Sequence, residues 1–267
     1  IIIDQLEPRH IYVSGSSALE LANEINEPLT GRKWEYMLYP VSWQELESHY
    51  NYLTAWQQLE NRLIYGFYPE VILNPGKEEK ILRQLTGSYL YKDLLTYKGI
   101  KKPDVLEKLL RALALQVGSE VSFQELGRLV QVDKNTVQSY INLLEKAFVI
   151  FRLPPLSRNS RKEISTTRKI YFYDNGVRNA LIANYNALDM RNDTGALWEN
   201  FLVSERQKFL EYNQVFTGTY FWRSQSQQEI DYIEERNGVF YAYEFKWKPK
   251  NKIRFPDGFI QNYQQVT

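Results

Sequence analysis

Residues 229–248 read EIDYIEERNGVFYAYEFKWK, two alternating runs around an Asn237-Gly238 pair. That pair is preferred in a two-residue type I′ turn, whose twist matches the strands it joins. A turn on those two residues fixes the register, with Asp231 opposite Glu244 and Glu229 opposite Lys246. Strand side chains alternate between faces. One face would then carry Ile230, Tyr232, Val239, Tyr241, Tyr243 and Phe245, an apolar set suited to a core. The other would gather Asp231, Glu244 and Lys246. Carboxylates facing each other across a strand pair, with Cβ atoms about 4.5–5.5 Å apart, repel. A divalent cation would resolve the conflict, and the Lys246 ammonium would resolve part of it. A solvated charged face on an ordinary hairpin is the plainer reading, and a β-bulge would shift the pairing by one.

At roughly 100–200 residues per domain, a chain of 267 residues suggests two domains with room for a further piece. It is 43% hydrophobic and 15% aromatic, which excludes a disordered chain. There is no cysteine, and the only histidines are His10 and His49. Disulfides, thiol chemistry and a histidine-built zinc site are thereby set aside, and any metal would be held by oxygen, as magnesium, manganese or calcium are. No apolar run reaches the roughly 18 residues that suggest a membrane span. The chain begins Ile-Ile-Ile-Asp, with neither an initiator methionine nor a basic leader, and reads as a piece of a longer cytoplasmic protein. The net charge of +1 hides an asymmetry: −5 over residues 1–48, +3 over 49–156 and +3 over 157–267. A polyanion would dock on the later two thirds.

Along the chain, Ile11–Val13 form a short strand that ends in a Gly-Ser-Ser turn and a helix. An alternating strand is expected over Trp34–Leu38, one helical period over 41–65 and another over Lys77–Tyr97. Further helices are expected over 104–117, capped by Asp104, and over 194–212. Short strands at 149–153 and 169–173 flank a basic loop from Ser157 to Arg168. Strands at Tyr220–Arg223, Glu229–Arg236 and Val239–Trp247 precede a helix near Phe259.

The spacing Asp231, twelve residues, Glu244-Phe245-Lys246, preceded by the helix GALWENFLVSERQKFL, resembles the core of the PD-(D/E)XK nucleases. That resemblance implies that Glu199, Asp231 and Glu244 bind Mg²⁺ or Mn²⁺. It implies that Lys246 helps orient the attacking water and stabilises the charged transition state, as metal-assisted phosphoryl chemistry requires. Ile230 stands where the family nominally has proline.

Residues 122–148 predict helix, turn, helix, with Phe123, Leu126 and Leu129 on the buried stripe of the first and Val137, Ile141 and Leu144 on that of the second. Asp133 would cap the second helix, which leaves Lys134, Asn135, Gln138 and Asn142 outside. Such side chains suit base edges and phosphates. A winged helix packing against protein is the alternative, because Lys134 is the single clear cation on that face. Arg158, Arg161, Lys162, Arg168 and Lys169, and the row Lys246, Lys248, Lys250, Lys252 and Arg254, would add phosphate contacts or serve as solvated charge.

The order of a Val-Ser-Gly-Ser-Ser strand end, Leu-Thr-Gly-Arg, Gly66-Phe67-Tyr68-Pro69-Glu70, helix-turn-helix, Lys169–Gly176 and the nuclease-like core is similar to the C-terminal portion of a prokaryotic AAA-superfamily ATPase. The resemblance implies that Ser16 or Ser17 senses the nucleotide and that Arg32 senses or clamps phosphate; a turn arginine paired with an acid is the alternative for Arg32. No G-x-x-x-x-G-K-[ST] occurs, so ATP would bind only through residues upstream of Ile1.

The fold class expected is α/β and multidomain. Residues 1–48 would end an AAA core, 49–156 would hold a helical connector with the winged helix, and 157–267 a PD-(D/E)XK-like αβββα domain. The partners expected are DNA or RNA and the upstream AAA core, with no membrane. The function expected is an ATPase-coupled nucleic-acid-acting protein with a metal-dependent phosphodiesterase site. The rival is an inactive regulatory or interaction module.

Overall fold

The structure is a computed structural model that describes residues 34–90, 94, 100, 102–156, 168–224, 226–248 and 255–263. Within these it is mixed α/β, with two small antiparallel sheets. Trp34, Tyr36 and Leu38 alternate as expected, yet they are exposed and form no strand. Helix is broken twice across 43–65. α1 (Trp43–Tyr50) is closed by a capping box of Ser42 and Glu45 at its start. It ends at Asn51, whose positive φ of 76° forces a turn and whose side chain caps α2 (Tyr52–Gln57). α3 is Leu59–Tyr65, α4 Pro69–Leu73 and α5 Glu78–Gln84, the last running into a π-helical turn over Leu85–Leu90.

α6 (Pro103–Leu115) starts with Pro103 in its first turn, and Asp104 lies inside the helix, so the expected Asp104 cap is not what opens it. Then come β1 (Glu120–Val121), α7 (Phe123–Val130), α8 (Lys134–Lys146), β2 (Ile150–Leu153) and β3 (Arg168–Phe172). Asp133 caps α8 by accepting from the backbone N–H groups of Asn135 and Thr136. Val137, Ile141 and Leu144 are buried as expected, but α7 buries Leu126, Gly127 and Val130 and leaves Leu129 exposed. β3 is the central strand, antiparallel to both β1 and β2. This sheet and α6–α8 share the largest apolar core, including Leu109, Leu113, Ile141 and Phe172.

α9 (Asn175–Leu181) leads to α10 (Thr194–Tyr212), then β4 (Gly218–Arg223), β5 (Glu229–Arg236), β6 (Val239–Tyr243) and α11 (Asp257–Asn262). The second sheet runs β4-β5-β6. It joins the first where Phe221 exchanges backbone hydrogen bonds with the chain after β2: its N–H donates to Pro154 and its carbonyl accepts from Leu156. Among the described residues no helix is long and apolar enough to cross a membrane.

Asp174 is fully buried and accepts backbone N–H groups of Phe67 at 2.6 Å and Val177 at 3.1 Å, tying α3 to α9. A Cβ on Gly66 would stand 2.0 Å from its Oδ1, on a backbone with φ of +76°. Gly66→Ala should cost about 2–5 kcal/mol, from overpacking and a backbone only glycine tolerates. Gly76→Ala, with φ of +83° and open space around it, should cost about 1 kcal/mol. Urea denaturation of both variants compares them, and equal losses would refute the steric account.

A second lock is Asp193, paired with Arg178 at 2.5 Å and Arg191 at 2.8 Å. Burial pushes its carboxyl up, but the two guanidiniums outweigh this and hold it at about 2, below the ordinary 3.8. A depressed folded-state pKa contributes stability above pH 3.8 that disappears as pH falls toward 2. Asp193→Asn should therefore melt lower at pH 7 and lose less than the wild type between pH 5 and pH 2 in thermal scans.

Candidate active site

The register of the hairpin is the one the Asn-Gly turn dictates: Tyr232 pairs with Tyr243, Glu234 with Tyr241 and Arg236 with Val239. On the other side of β5 the ladder slips. Tyr220 pairs with Ile233 and Trp222 with Ile230, so two steps of β4 meet three of β5. The extra residue falls at Asp231–Tyr232, a bulge that re-aims side chains. Ile230, expected beside Tyr232, packs instead with Ile233, Trp222 and Phe259. Tyr232 packs with Phe221, Val203 and Tyr171. Asp231 is turned toward β3 and α10 as well. The expected apolar face also holds Glu234, buried and paired with Arg206 and Arg236.

α10 is seated on β3 by Asn200. Its Oδ1 accepts the Phe172 N–H at 2.8 Å, and its Nδ2 donates to the Phe172 carbonyl at 3.0 Å and to Asn175 Oδ1 at 2.7 Å. One turn on, Ser204 donates to the Tyr173 carbonyl at 2.8 Å. The residue beside Asn200 is Glu199, which this seating brings over β3. There its Oε1 accepts from Tyr171 Oη at 2.7 Å and from Lys169 Nζ at 3.0 Å.

Lys169 Nζ is also 2.5 Å from Glu229 and 4.0 Å from Asp231 Oδ1, above the Phe221 ring. Asp231 Oδ2 accepts the Phe245 N–H at 2.9 Å and faces Lys246 Nζ at 3.3 Å. Lys246 Nζ lies 2.7 Å from Glu244 as well. Glu199, Asp231, Glu244 and Lys246 are thus brought together, with Lys169, Glu229 and Tyr171 added to them. Lys169, expected among solvated phosphate contacts, has a side chain only 2% exposed. A charged residue beside the buried run Ile170-Tyr171-Phe172 is the signal for it.

Four carboxylates face two ammoniums in a largely buried setting, and burial leads the protonation shifts. Burial raises the Glu199 carboxyl, with Lys169 opposing and Asp231 adding to the rise. Burial likewise raises Glu244, with Lys246 opposing. Burial pulls Lys169 down, but Glu199, Glu229 and Asp231 outweigh it and hold the ammonium charged. Tyr171 is raised well above its ordinary value by burial and by Glu199, so it stays a neutral donor.

Oxygen donors of this kind suit Mg²⁺ or Mn²⁺ chemically. In the present arrangement, however, ammoniums take those oxygens, and among the described residues no three acidic side chains are gathered as a cage for a metal ion.

Lys134, Asn135 and Gln138 are exposed at the start of α8. Asn142, expected beside them, accepts from Arg152 at 3.0 Å and so is tied to β2. Ser16, Ser17, Arg32, Arg161 and Lys162 lie outside the described residues.

The chain belongs to the family described as Domain of unknown function (DUF8612), whose model matches residues 56–189, half of the chain. Residues 194–267 match a second family, Domain of unknown function (DUF4143), and residues 1–47 match the AAA domain. The AAA match supports an AAA-type, ATPase-related protein. Similar proteins include an uncharacterized protein of Haemophilus influenzae, 28% identical over 190 residues, covering 66% of this chain and 47% of that protein. Another is an uncharacterized protein of Mycobacterium tuberculosis, 26% identical over 251 residues, covering 92% and 54%. An uncharacterized protein of Methanocaldococcus jannaschii is 23% identical over 244 residues, covering 84% and 52%. The chain therefore spans about half the length of the curated relatives it matches. No solved structure matches it.

Asp231 has a structural duty apart from any chemistry. Asp231→Ala would leave the Phe245 N–H without its acceptor, at a cost of about 1–3 kcal/mol. Asp231→Asn keeps an acceptor and should recover most of that loss in urea titrations. Equal destabilisation by both would show that the carboxylate's charge, not its hydrogen bond, matters to the fold.

Proposed function

We propose that the C-terminal unit is a nuclease-like phosphodiester-cleaving site carried by an ATPase-related protein. One observation carries this reading: Asp231 and Glu244 share the Lys246 ammonium, at 3.3 and 2.7 Å, with Glu199 delivered to the same cluster by α10. A divalent cation, Mg²⁺ or Mn²⁺, would be held by Asp231, Glu244 and Glu199, and when bound it supplies an activated water and neutralises phosphate charge. The chain's own residues do the rest. The Phe245 N–H fixes the Asp231 carboxylate, and Tyr171 orients Glu199. Lys246, with half of its side chain exposed, presents an ammonium to a phosphate oxygen.

Nucleic acid is the substrate class that the neighbouring unit fits. The order helix, strand, helix, helix, strand, strand over α6–β3 supports a winged-helix reading of that unit. It leaves Lys134, Asn135 and Gln138 exposed on α8 for phosphates and base edges. Nucleotide sensing by Ser16, Ser17 and Arg32, with ATP bound upstream, belongs to the same proposal.

A second reading, an inactive regulatory module, is favoured by one contact: Lys169 already neutralises part of the carboxylate cluster.

The test is cleavage of DNA and RNA, single- and double-stranded, with Mg²⁺, Mn²⁺ or chelator. Cleavage should require the divalent ion and fall at least about 100-fold in Asp231→Asn and Lys246→Met, in line with the loss of a group that stabilises transition-state charge. Absence of cleavage on every substrate with both metals, or undiminished cleavage by the variants, would sink the nuclease reading and leave the regulatory one.

A further inference from the structure

We infer that Trp34, Tyr36 and Leu38 form the docking face for residues 1–33, the remainder of the AAA-matched stretch, and that α10 is the bracket against which this packing is built. The inference rests on the AAA match and not on the nuclease-like reading.

α10 holds the end of the AAA-matched stretch through three side chains. Glu205, Lys208 and Tyr212 are spaced three and four apart and so share one helix face. Glu205 accepts the Trp43 N–H at 2.7 Å, Lys208 donates to the Val41 carbonyl at 3.1 Å, and Tyr212 Oη accepts the Tyr39 N–H at 3.3 Å. Lys208 is only 2% exposed and is itself held by Glu205 at 2.7 Å. The Val41 N–H donates to the Phe67 carbonyl at 3.0 Å. Residues 39, 41 and 43 are thus each engaged through the backbone, which fixes the path of the segment and the direction from which the chain before it arrives.

The bracket stops at Tyr39. The large side chains just before it, Trp34, Tyr36 and Leu38, are 85%, 80% and 97% exposed and form no strand among the described residues. Their alternate spacing puts them on one side of an extended chain. Aromatic side chains bury about 150–250 Å² each when covered. The three together therefore bare several hundred Å², as much as the largest apolar patch an ordinary monomer exposes. Tyr39, whose ring lies 5.7 Å from that of Tyr212, carries the face onto α10, where Phe209 and Tyr212 are also part exposed.

The occupant follows from the extent of the family match. It runs over residues 1–47 and so takes in the clamped residues, the bare ones and those before them. Residues 1–33 carry the apolar runs Ile1–Ile3 and Ile11–Val13, of the β-branched and aromatic kind that packs beside a strand. One piece of a domain is therefore fixed on α10 at its end, while its apolar side faces away from the described core and suits the rest of the same piece.

The experiment uses the whole chain with a photo-crosslinking benzoylphenylalanine at position 36, prepared in light and heavy-isotope forms and mixed. Irradiation should join position 36 to residues 1–22 of the same molecule, as mapped by peptide mass spectrometry, and the product should vanish in urea. Light–heavy products overturn the inference in favour of contact between copies. Absence of products within residues 1–22 overturns it outright.

A second measurement keeps the inference testable if that substitution perturbs the chain. Leu38→Asp should raise limited proteolysis within residues 1–33 several-fold, because local opening exposes backbone to the protease, and leave α10–β6 as resistant as before. Leu129→Asp, at an exposed position outside the face, should change neither. Unchanged proteolysis in Leu38→Asp overturns the docking face, as does a concentration-dependent dimer that Leu38→Asp dissolves. Neither measurement depends on whether the chain cleaves nucleic acid, so this inference and the nuclease reading fail separately.

Discussion

The amide of Asn200 grips the backbone of Phe172 from both sides, donating to its carbonyl and accepting from its N–H. A helix cannot pair with a strand through its own backbone, because its N–H and C=O groups are spent internally. A buried side-chain amide supplies the missing donor and acceptor, and leaving either unmet inside a core is costly. This contact fixes both the height and the rotation of α10 on β3. Glu199 then falls over Lys169 and Tyr171, and Leu197 and Phe201 fall into the helical core of α1–α3. The acidic cluster thus depends on a neutral amide that carries no chemistry itself.

Much of the hairpin was legible from the sequence, and the reason is local. An Asn-Gly turn sets register by backbone conformation alone: Asn237 and Gly238 take the positive φ values of 52° and 79° that the turn needs. What the turn cannot report is the other edge of β5. The bulge opposite Phe221 depends on how β4 meets β5 while bonding the chain after β2, and that last contact is distant in sequence. That is why Ile230 and Asp231 exchange the faces that simple alternation gives them. Glu234 was hidden for a related reason. Its burial is made tolerable by Arg206 on α10 together with Arg236 on its own strand, and the strand does not announce the helix partner. The helical period over 41–65 was correct in character, but it missed the break at Asn51, where a side chain that can cap the next helix outcompetes continuation.

The site itself was half readable. Glu244 and Lys246 follow from the turn and Glu199 from a motif resemblance, while Asp231 reaches them from the face onto which the bulge turns it. Glu229 was expected opposite Lys246 but pairs with Lys169, which becomes visible as a member only when the two sheets are placed together. Lysine next to the buried run Ile170-Tyr171-Phe172 is the kind of local inconsistency that marks either a paired buried charge or a functional position. Here it is paired, and the partner carboxylates lie 30 or more residues away.

This placement ties together the stretches that two different families match. Lys169 stands in the stretch matched by one family and its carboxylates in the stretch matched by another. Further ties cross the same seam: Arg223 with Glu120 at 2.9 Å, and the Phe221 backbone with Pro154 and Leu156. Most contacts of such a seam are insensitive to a small slide, because apolar packing is non-directional. An ammonium held among carboxylates at about 3 Å is sensitive, since hydrogen bonds weaken steeply once distance and angle depart from their optimum. Directional ties of the same kind, the Asn200 amide on Phe172 and the Phe221 backbone on Pro154 and Leu156, hold β3, α10 and β4 in place around Lys169. The charge pairing inside the cluster therefore rests on how the two stretches pack, while the register of the hairpin carrying Asp231 and Glu244 is set by its own turn.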